Sequence, residues 1–105
     1  RGGINISANE VDNNLDGCPG VGAHATIGLP DDRLGERICT FIVQAGDVEP
    51  TLDSIAEYLD SIGVAKRLRP EHIEFIDAIP MTESGKVKRH QLADELDRRL
   101  KERAE

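Results

Sequence analysis

Apolar and polar positions alternate most regularly between Arg37 and Ala45. Ile38, Thr40 and Ile42 share one face, Cys39, Phe41 and Val43 the other, and both faces are largely apolar. A period of two predicts a strand, and apolar character on both sides predicts that it is central and covered twice. Gly22 to Gly28 is a shorter strand with Ala23, Ala25 and Ile27 on one face and His24 and Thr26 on the other; His72 to Ile79 is a third. Helical spacing replaces alternation after Thr51, a cap, where Leu52, Ile55, Ala56, Leu59 and Ile62 form a stripe that Gly63 terminates. From about His90 a last amphipathic helix carries Leu92, Leu96 and Leu100.

The start of the chain reads as a glycine turn, Arg1-Gly2-Gly3, running into a short strand with Ile4 and Ile6 on one face. Ser7 followed by Glu10 is a capping-box pattern, opening a helix with Val11, Leu15 and Cys18 that Pro19-Gly20 ends. The intervening segments are a polar loop from Leu29 to Glu36, an acidic solvated loop holding Asp47 and Glu49, and a basic connector, Val64 to Pro70. Arg98 to Glu105 reads as a mixed-charge fraying end. The pattern gives an α+β domain: a small three-stranded sheet flanked by helices, with a short N-terminal glycine turn and strand.

Composition narrows the function. A chain of 105 residues is one small domain with a single core. Its net charge of −7 argues against a nucleic-acid surface, which needs a net basic face. No apolar run is long enough for a membrane span, and no signal peptide is expected. Cys18 and Cys39 lie far apart with no ligand-spaced partner, so no metal site is expected, and two scattered cysteines fit a cytoplasmic protein; a single disulfide stays open. His24, His72 and His90 have neither metal-ligand spacing nor a neighbouring nucleophile and read as ordinary strand and helix-edge residues. The chain begins at Arg1, as a piece of a longer protein would.

One stretch fits neither strand nor helix interior: Pro80-Met81-Thr82-Glu83-Ser84-Gly85-Lys86-Val87-Lys88-Arg89. Pro80 lacks an amide donor and closes the preceding strand, while Thr82, Ser84 and Gly85 are turn formers. A mobile, exposed loop presenting Lys86 is expected. Ser84-Gly85-Lys86 also looks like the end of a phosphate-binding P-loop, but Pro80 stands where that motif needs glycine and Val87 where it needs Ser or Thr, so that reading fails.

The stretch resembles the last core motif of the adenylate-forming superfamily, which comprises acyl- and aryl-CoA synthetases, peptide-synthetase adenylation domains and firefly-type luciferases. Pro80, Thr82, Ser84, Gly85, Lys86 and Arg89 fill every fixed position of that motif. Gly2-Gly3-x-x-Ile6 through Glu10-Val11-Asp12 looks like the family's Gly-Gly-x-x-Ile … Glu-Val-Glu segment. Pro19-x-Val21 fits its His-Pro-x-Val with Cys18 in place of His, and Gly28 to Asp31 with Gly35-Glu36 fit its Gly-x-Pro-Asp and Gly-Glu. The resemblance runs from Arg1 to about Leu100. Arg67-Leu68-Arg69-Pro70 departs from the Tyr-Lys-x-Pro of many relatives, so no role of that lysine passes to Leu68.

The resemblance implies that residues 1–105 are the C-terminal, lid domain of an AMP-forming acyl- or aryl-CoA ligase, beginning just after the hinge, with the large AMP-binding domain elsewhere. Its substrates would be a carboxylic acid, ATP with Mg2+, and CoA, bound mainly by that large domain. Lys86 would be the catalytic lysine of adenylation, with Lys88 an alternative by charge whose spacing fails the motif. Thr82, Ser84, Gly85 and Arg89 would support the loop. Gly2 and Gly3 would line the thiol tunnel, Gly3 because a narrow channel leaves no space for a Cβ; the plain alternative is a glycine turn. Arg67 and Arg69 are candidates to meet CoA phosphates, or form a solvated basic turn. Two other functions fit the same residues: an adenylation domain that loads a carrier protein, and a non-catalytic interaction module that kept the fold.

Overall fold

A computed structural model describes residues 6–31 and 35–104. In chain order the elements are α1 (Ile6–Asn13), β1 (Val21–Asp31), β2 (Gly35–Gln44), α2 (Leu52–Ser61), a 3-10 turn (Lys66–Leu68), β3 (His72–Phe75) and α3 (Arg89–Ala104). The sheet order is β1-β2-β3, with β1 antiparallel and β3 parallel to β2. The expected α+β class and three-stranded sheet are both present, and β2 is central as its two-sided apolar pattern requires.

The two faces of β2 divide the core. Ile38 and Ile42 pack with Ala8, Val11, Leu15, Cys18, Ile55 and Leu59 under α1 and α2. Cys39 and Phe41 pack with Ala25, Ile27, Leu92 and Leu96 under α3. Each fully buried aliphatic or aromatic side chain contributes about 1.5–3 kcal/mol. Cys18 and Cys39 are free, each buried in a different one of these two cores, and desolvation, reinforced by the Glu74 charge, pushes the Cys39 thiol up to about 12.

Local rules explain the helix ends. Thr51 and Ser54 exchange side-chain and backbone hydrogen bonds in a capping box at the start of α2. At its end Gly63 takes φ +79°, its N–H bonds to the Asp60 carbonyl, and the Val64 N–H reaches the Leu59 carbonyl, closing a Schellman motif. Only Ile55 and Leu59 of the expected stripe are deeply buried; Leu52 and Ile62 are exposed.

Several boundaries differ from the sequence expectation. The strand expected at Ile4 and Ile6 lies mostly outside the described residues, and Ile6 begins α1, which puts Ser7 inside the first turn rather than at the cap. The helix ends at Asn13 instead of Pro19; Leu15 and Cys18 still reach the core because turns such as Leu15 N–H to the Asp12 carbonyl (3.1 Å) carry the chain over the same face. Where a polar loop from Leu29 was expected, β1 and β2 continue as a hairpin that pairs Pro30 with Glu36 and Asp31 with Gly35. β1 is an edge strand, where a proline lacking its N–H is tolerated. The third strand stops at Phe75, since its ladder ends with Ile42 opposite Phe75; Ile76 and Ile79 turn to pack beside the α3 core.

The largest correction concerns the C-terminal end. Arg98 to Ala104 is ordered helix, held by a carboxylate that nothing in the local pattern singles out. Glu74 on β3 is only 3% exposed. It accepts from Arg103 (2.6 and 2.8 Å) and Arg99 (3.0 Å) and also contacts His72 Nε2. Arg99 lies over the Phe41 ring as well, 5.7 Å from its centroid. The Arg103 hydrogen bonds, supported by those of His72 and Arg99, outweigh burial and hold the Glu74 carboxyl at about 2.

A second polar link joins α1 to β1, and it removes His24 from the class of ordinary strand residues. Nδ1 of His24 meets Asp12 Oδ1 (2.9 Å) and Nε2 meets Asp16 Oδ1 (2.7 Å). The Thr26 hydroxyl also donates to Asp12 (2.9 Å), so the buried Thr40 hydroxyl must donate to Thr26 (2.7 Å). Its hydrogen bond to Asp12 raises the His24 pKa, with Asp16 adding to it against the opposing effect of burial.

Two stability measurements follow. A lowered carboxylate pKa stabilises the fold above the ordinary value of 4.5, and that stabilisation fades as pH falls towards 2. In urea titrations Glu74→Gln should cost about 2 kcal/mol near pH 7, after allowing for the half-exposed Arg103, and the deficit should shrink as the acid limb is descended. A raised histidine pKa acts with the opposite sign: stabilisation is complete below 6.5 and is lost as pH rises through the folded value. The stability advantage of the native chain over His24→Gln should therefore be larger at pH 6 than at pH 9.

Candidate functional site

The stretch from Pro80 to Arg89, expected as a mobile, exposed loop, is largely exposed and is hydrogen-bonded as a hairpin turn. Met81 pairs with Val87 in an antiparallel bridge, and the Lys88 N–H donates to the Pro80 carbonyl (2.9 Å). Thr82 organises the tip. Its N–H donates to the Lys86 carbonyl (2.8 Å), its carbonyl accepts from Gly85 (3.0 Å), and its hydroxyl accepts from the Lys86 N–H (3.0 Å). Ser84 Oγ lies 3.0 Å from that same hydroxyl. Gly85 stands at φ +89°, a left-handed conformation in which a Cβ is strained.

Alternation then sets where the lysines point. Val87 is half-buried and packs against the α3 core, so its neighbours Lys86 and Lys88 face outward, and both are exposed. Among the described residues no carboxylate stands within ion-pair distance of Lys86. The turn therefore offers an ammonium group whose backbone is fixed and whose charge is not neutralised by a neighbour. Such a group suits stabilisation of negative charge on a substrate presented from outside the domain.

Arg89, three residues on, opens α3 and reaches away from it. One guanidinium nitrogen donates to the Thr26 carbonyl on β1, the other to Asn9 Oδ1 on α1 (3.0 Å). Neither partner is legible from the sequence, because Thr26 and Asn9 lie 63 and 80 positions away.

The basic connector separates its two arginines. Arg67 is exposed in the 3-10 turn. Arg69 is folded back, its side chain 15% exposed, and donates to Asp60 and to the Val64 carbonyl (3.1 Å). A phosphate at Arg69 must compete with those partners. Gly2 and Gly3 lie outside the described residues. Among the described residues no cluster of three or more His, Cys, Asp or Glu side chains could hold a metal, and no helix is long and apolar enough to cross a membrane.

The chain is similar to known proteins along most of its length. Residues 10–86 match the family model of the AMP-binding enzyme C-terminal domain. The chain is 37% identical over 101 residues to the medium-chain fatty-acid–CoA ligase of Escherichia coli, covering 95% of this chain and 18% of that protein. It is 36% identical over 96 residues to the salicyl-AMP ligase / salicyl-S-ArCP synthetase of Mycobacterium tuberculosis, covering 91% and 17%. Among solved structures, apo MbtA of Mycobacterium smegmatis superposes with a TM-score of 0.75 at 35% identity, over 88% of this chain and 17% of that one. The chain thus spans less than a fifth of the length of these relatives, and it belongs to the AMP-binding enzyme C-terminal domain family.

Proposed function

We propose that this chain is the mobile C-terminal domain, residues 1–105, of a cytoplasmic, AMP-forming acid–thiol ligase, and that it supplies Lys86 to the adenylation step. The observation that carries the reading is the Lys86 turn: an exposed ammonium on a backbone fixed by Thr82, Gly85 and the Met81–Val87 bridge. In the first half-reaction an oxygen of the substrate carboxylate attacks the α-phosphorus of ATP. The bond to pyrophosphate breaks, and acyl-adenylate forms. Two anionic groups must approach, and a preorganised cation between them offsets the repulsion as charge shifts to the leaving group. ATP, its Mg2+ and the acid would be held mainly by the AMP-binding domain that partners this one.

In the second half-reaction a thiol attacks the acyl carbonyl, loses its proton, and AMP leaves. Rotation of this domain about the hinge would withdraw Lys86 and bring the segment of Gly2 and Gly3 to the thiol. The exposed Arg67 is then the better placed of the two connector arginines to meet CoA phosphates, since Arg69 is already engaged. The thiol could instead belong to a carrier protein. That second reading draws support from the chain's 36% identity to a salicyl-S-ArCP synthetase, beside 37% to a fatty-acid–CoA ligase.

Half-reactions measured separately test the reading in the full-length protein that carries this chain. Lys86→Ala should lower pyrophosphate-exchange activity by at least about 100-fold while leaving thioester formation from supplied acyl-adenylate nearly intact. Gly3→Leu should do the reverse. Equal loss of both half-reactions in either folded variant overturns the two-face assignment. Supplying free CoA or a phosphopantetheinylated carrier as acceptor separates the two thiol sources.

A further inference from the structure

We infer that Asn9, Arg89 and the Thr26 carbonyl form a strut that fixes the position of Lys86 relative to α1, making Arg89 and Asn9 positioning residues for adenylation. The inference rests on the Lys86 reading above and deepens it. Arg89 sits where electrostatics disfavours it. It is the first residue of α3, whose opening turn contains no acidic side chain, and a cation there faces the positive end of the helix dipole. What holds it is a two-pronged contact away from its own helix.

The path of that contact is informative. α3 packs on one face of the sheet and α1 on the other. Arg89 reaches past the edge strand β1, bonding to its Thr26 carbonyl on the way to Asn9. Thr26 is itself tied to α1 through its hydroxyl on Asp12. Ile79 and Val87 hold the two ends of the Lys86 turn to the core beneath α3, and Arg89, two residues past Val87, adds a link to α1 on the other side of the sheet. Packing on one core ties the turn to one face only; the link past β1 also sets the direction of the ammonium relative to α1.

Misplacing a catalytic group by about 1 Å can cost on the order of 100-fold in rate. In the full-length protein, Arg89→Ala should lower adenylation kcat roughly 10- to 100-fold with little change in KM for the acid, and should leave thioester formation from supplied acyl-adenylate near the native rate. Asn9→Ala, at an exposed position where folding is not at risk, should lower the same kcat by less. Adding Asn9→Ala to Arg89→Ala should cost almost nothing more, because the contact is already gone. Arg89→Lys, able to reach the carbonyl or Asn9 but not both, should restore only part of the rate. Hydrogen exchange at the Lys86 and Lys88 amides should quicken in Arg89→Ala while that of central α3 stays native. Native adenylation kcat in Asn9→Ala and Arg89→Ala, additive losses in the double variant, or equal loss of both half-reactions would each overturn the strut. Lys86→Ala run alongside separates the two failures: if it abolishes adenylation and the strut variants do not, only the strut is wrong; if it is active, the Lys86 reading itself falls.

Discussion

A strand that is apolar on both faces cannot rest on solvent on either side, and β2 imposes that requirement on the whole domain. Ile38 and Ile42 need one cover, Cys39 and Phe41 another. With β1 and β3 completing the sheet on either side of it, the chain has to deliver helices to both faces. α1 and α2 serve the first, and the chain must then cross to the opposite face before α3 can serve the second. The turn at Pro80–Arg89 leads into that helix. Its exposure is a consequence of topology: Ile79 and Val87 are half-buried, and the tip between them, Thr82 to Lys86, has no apolar side chain to bury.

Polar contacts then do what hydrophobic burial cannot, which is to fix position along directions in which apolar surfaces slide. Burial is non-directional, and Leu92 and Leu96 against Ala25, Ile27 and Phe41 would tolerate small shifts of α3. Glu74, clasped by Arg99 and Arg103, pins the C-terminal half of α3 to β3. Arg89 pins its first residue to β1 and α1. The Asp12–His24–Thr26 group completes the set by joining α1 to β1. Errors in the position of α3 would be passed directly to the Pro80–Arg89 turn, and these contacts limit them.

Local chemistry was legible in the residues themselves. The two-sided pattern of β2, the Thr51 cap and the Gly63 stop of α2, and the turn chemistry of Thr82, Ser84 and Gly85 each depend on interactions within a few positions, so the sequence carries them directly. The fixed residues around Lys86 marked the candidate site for the same reason. Where local rules misled, a tertiary neighbour had intervened. Leu29 to Glu36 looked like loop because proline and glycine interrupt it, yet pairing along an edge strand carries β1 to Asp31 and opens β2 at Gly35. Arg98 to Ala104 looked like a fraying end because its charges gave no stripe, yet two of those charges meet a buried carboxylate.

By itself, then, the chain determined an α+β domain with a central buried strand, and a lysine set in a turn; periodicity and turn propensity are short-range and survive in one dimension. Only the tertiary structure decided which charges are engaged and which are free to act. Arg69 folds back on Asp60 while Lys86 faces outward, and Arg89 finds Asn9 from 80 positions away. Such pairings depend on which elements the fold brings within about 3 Å, a distance that bears no relation to separation along the sequence.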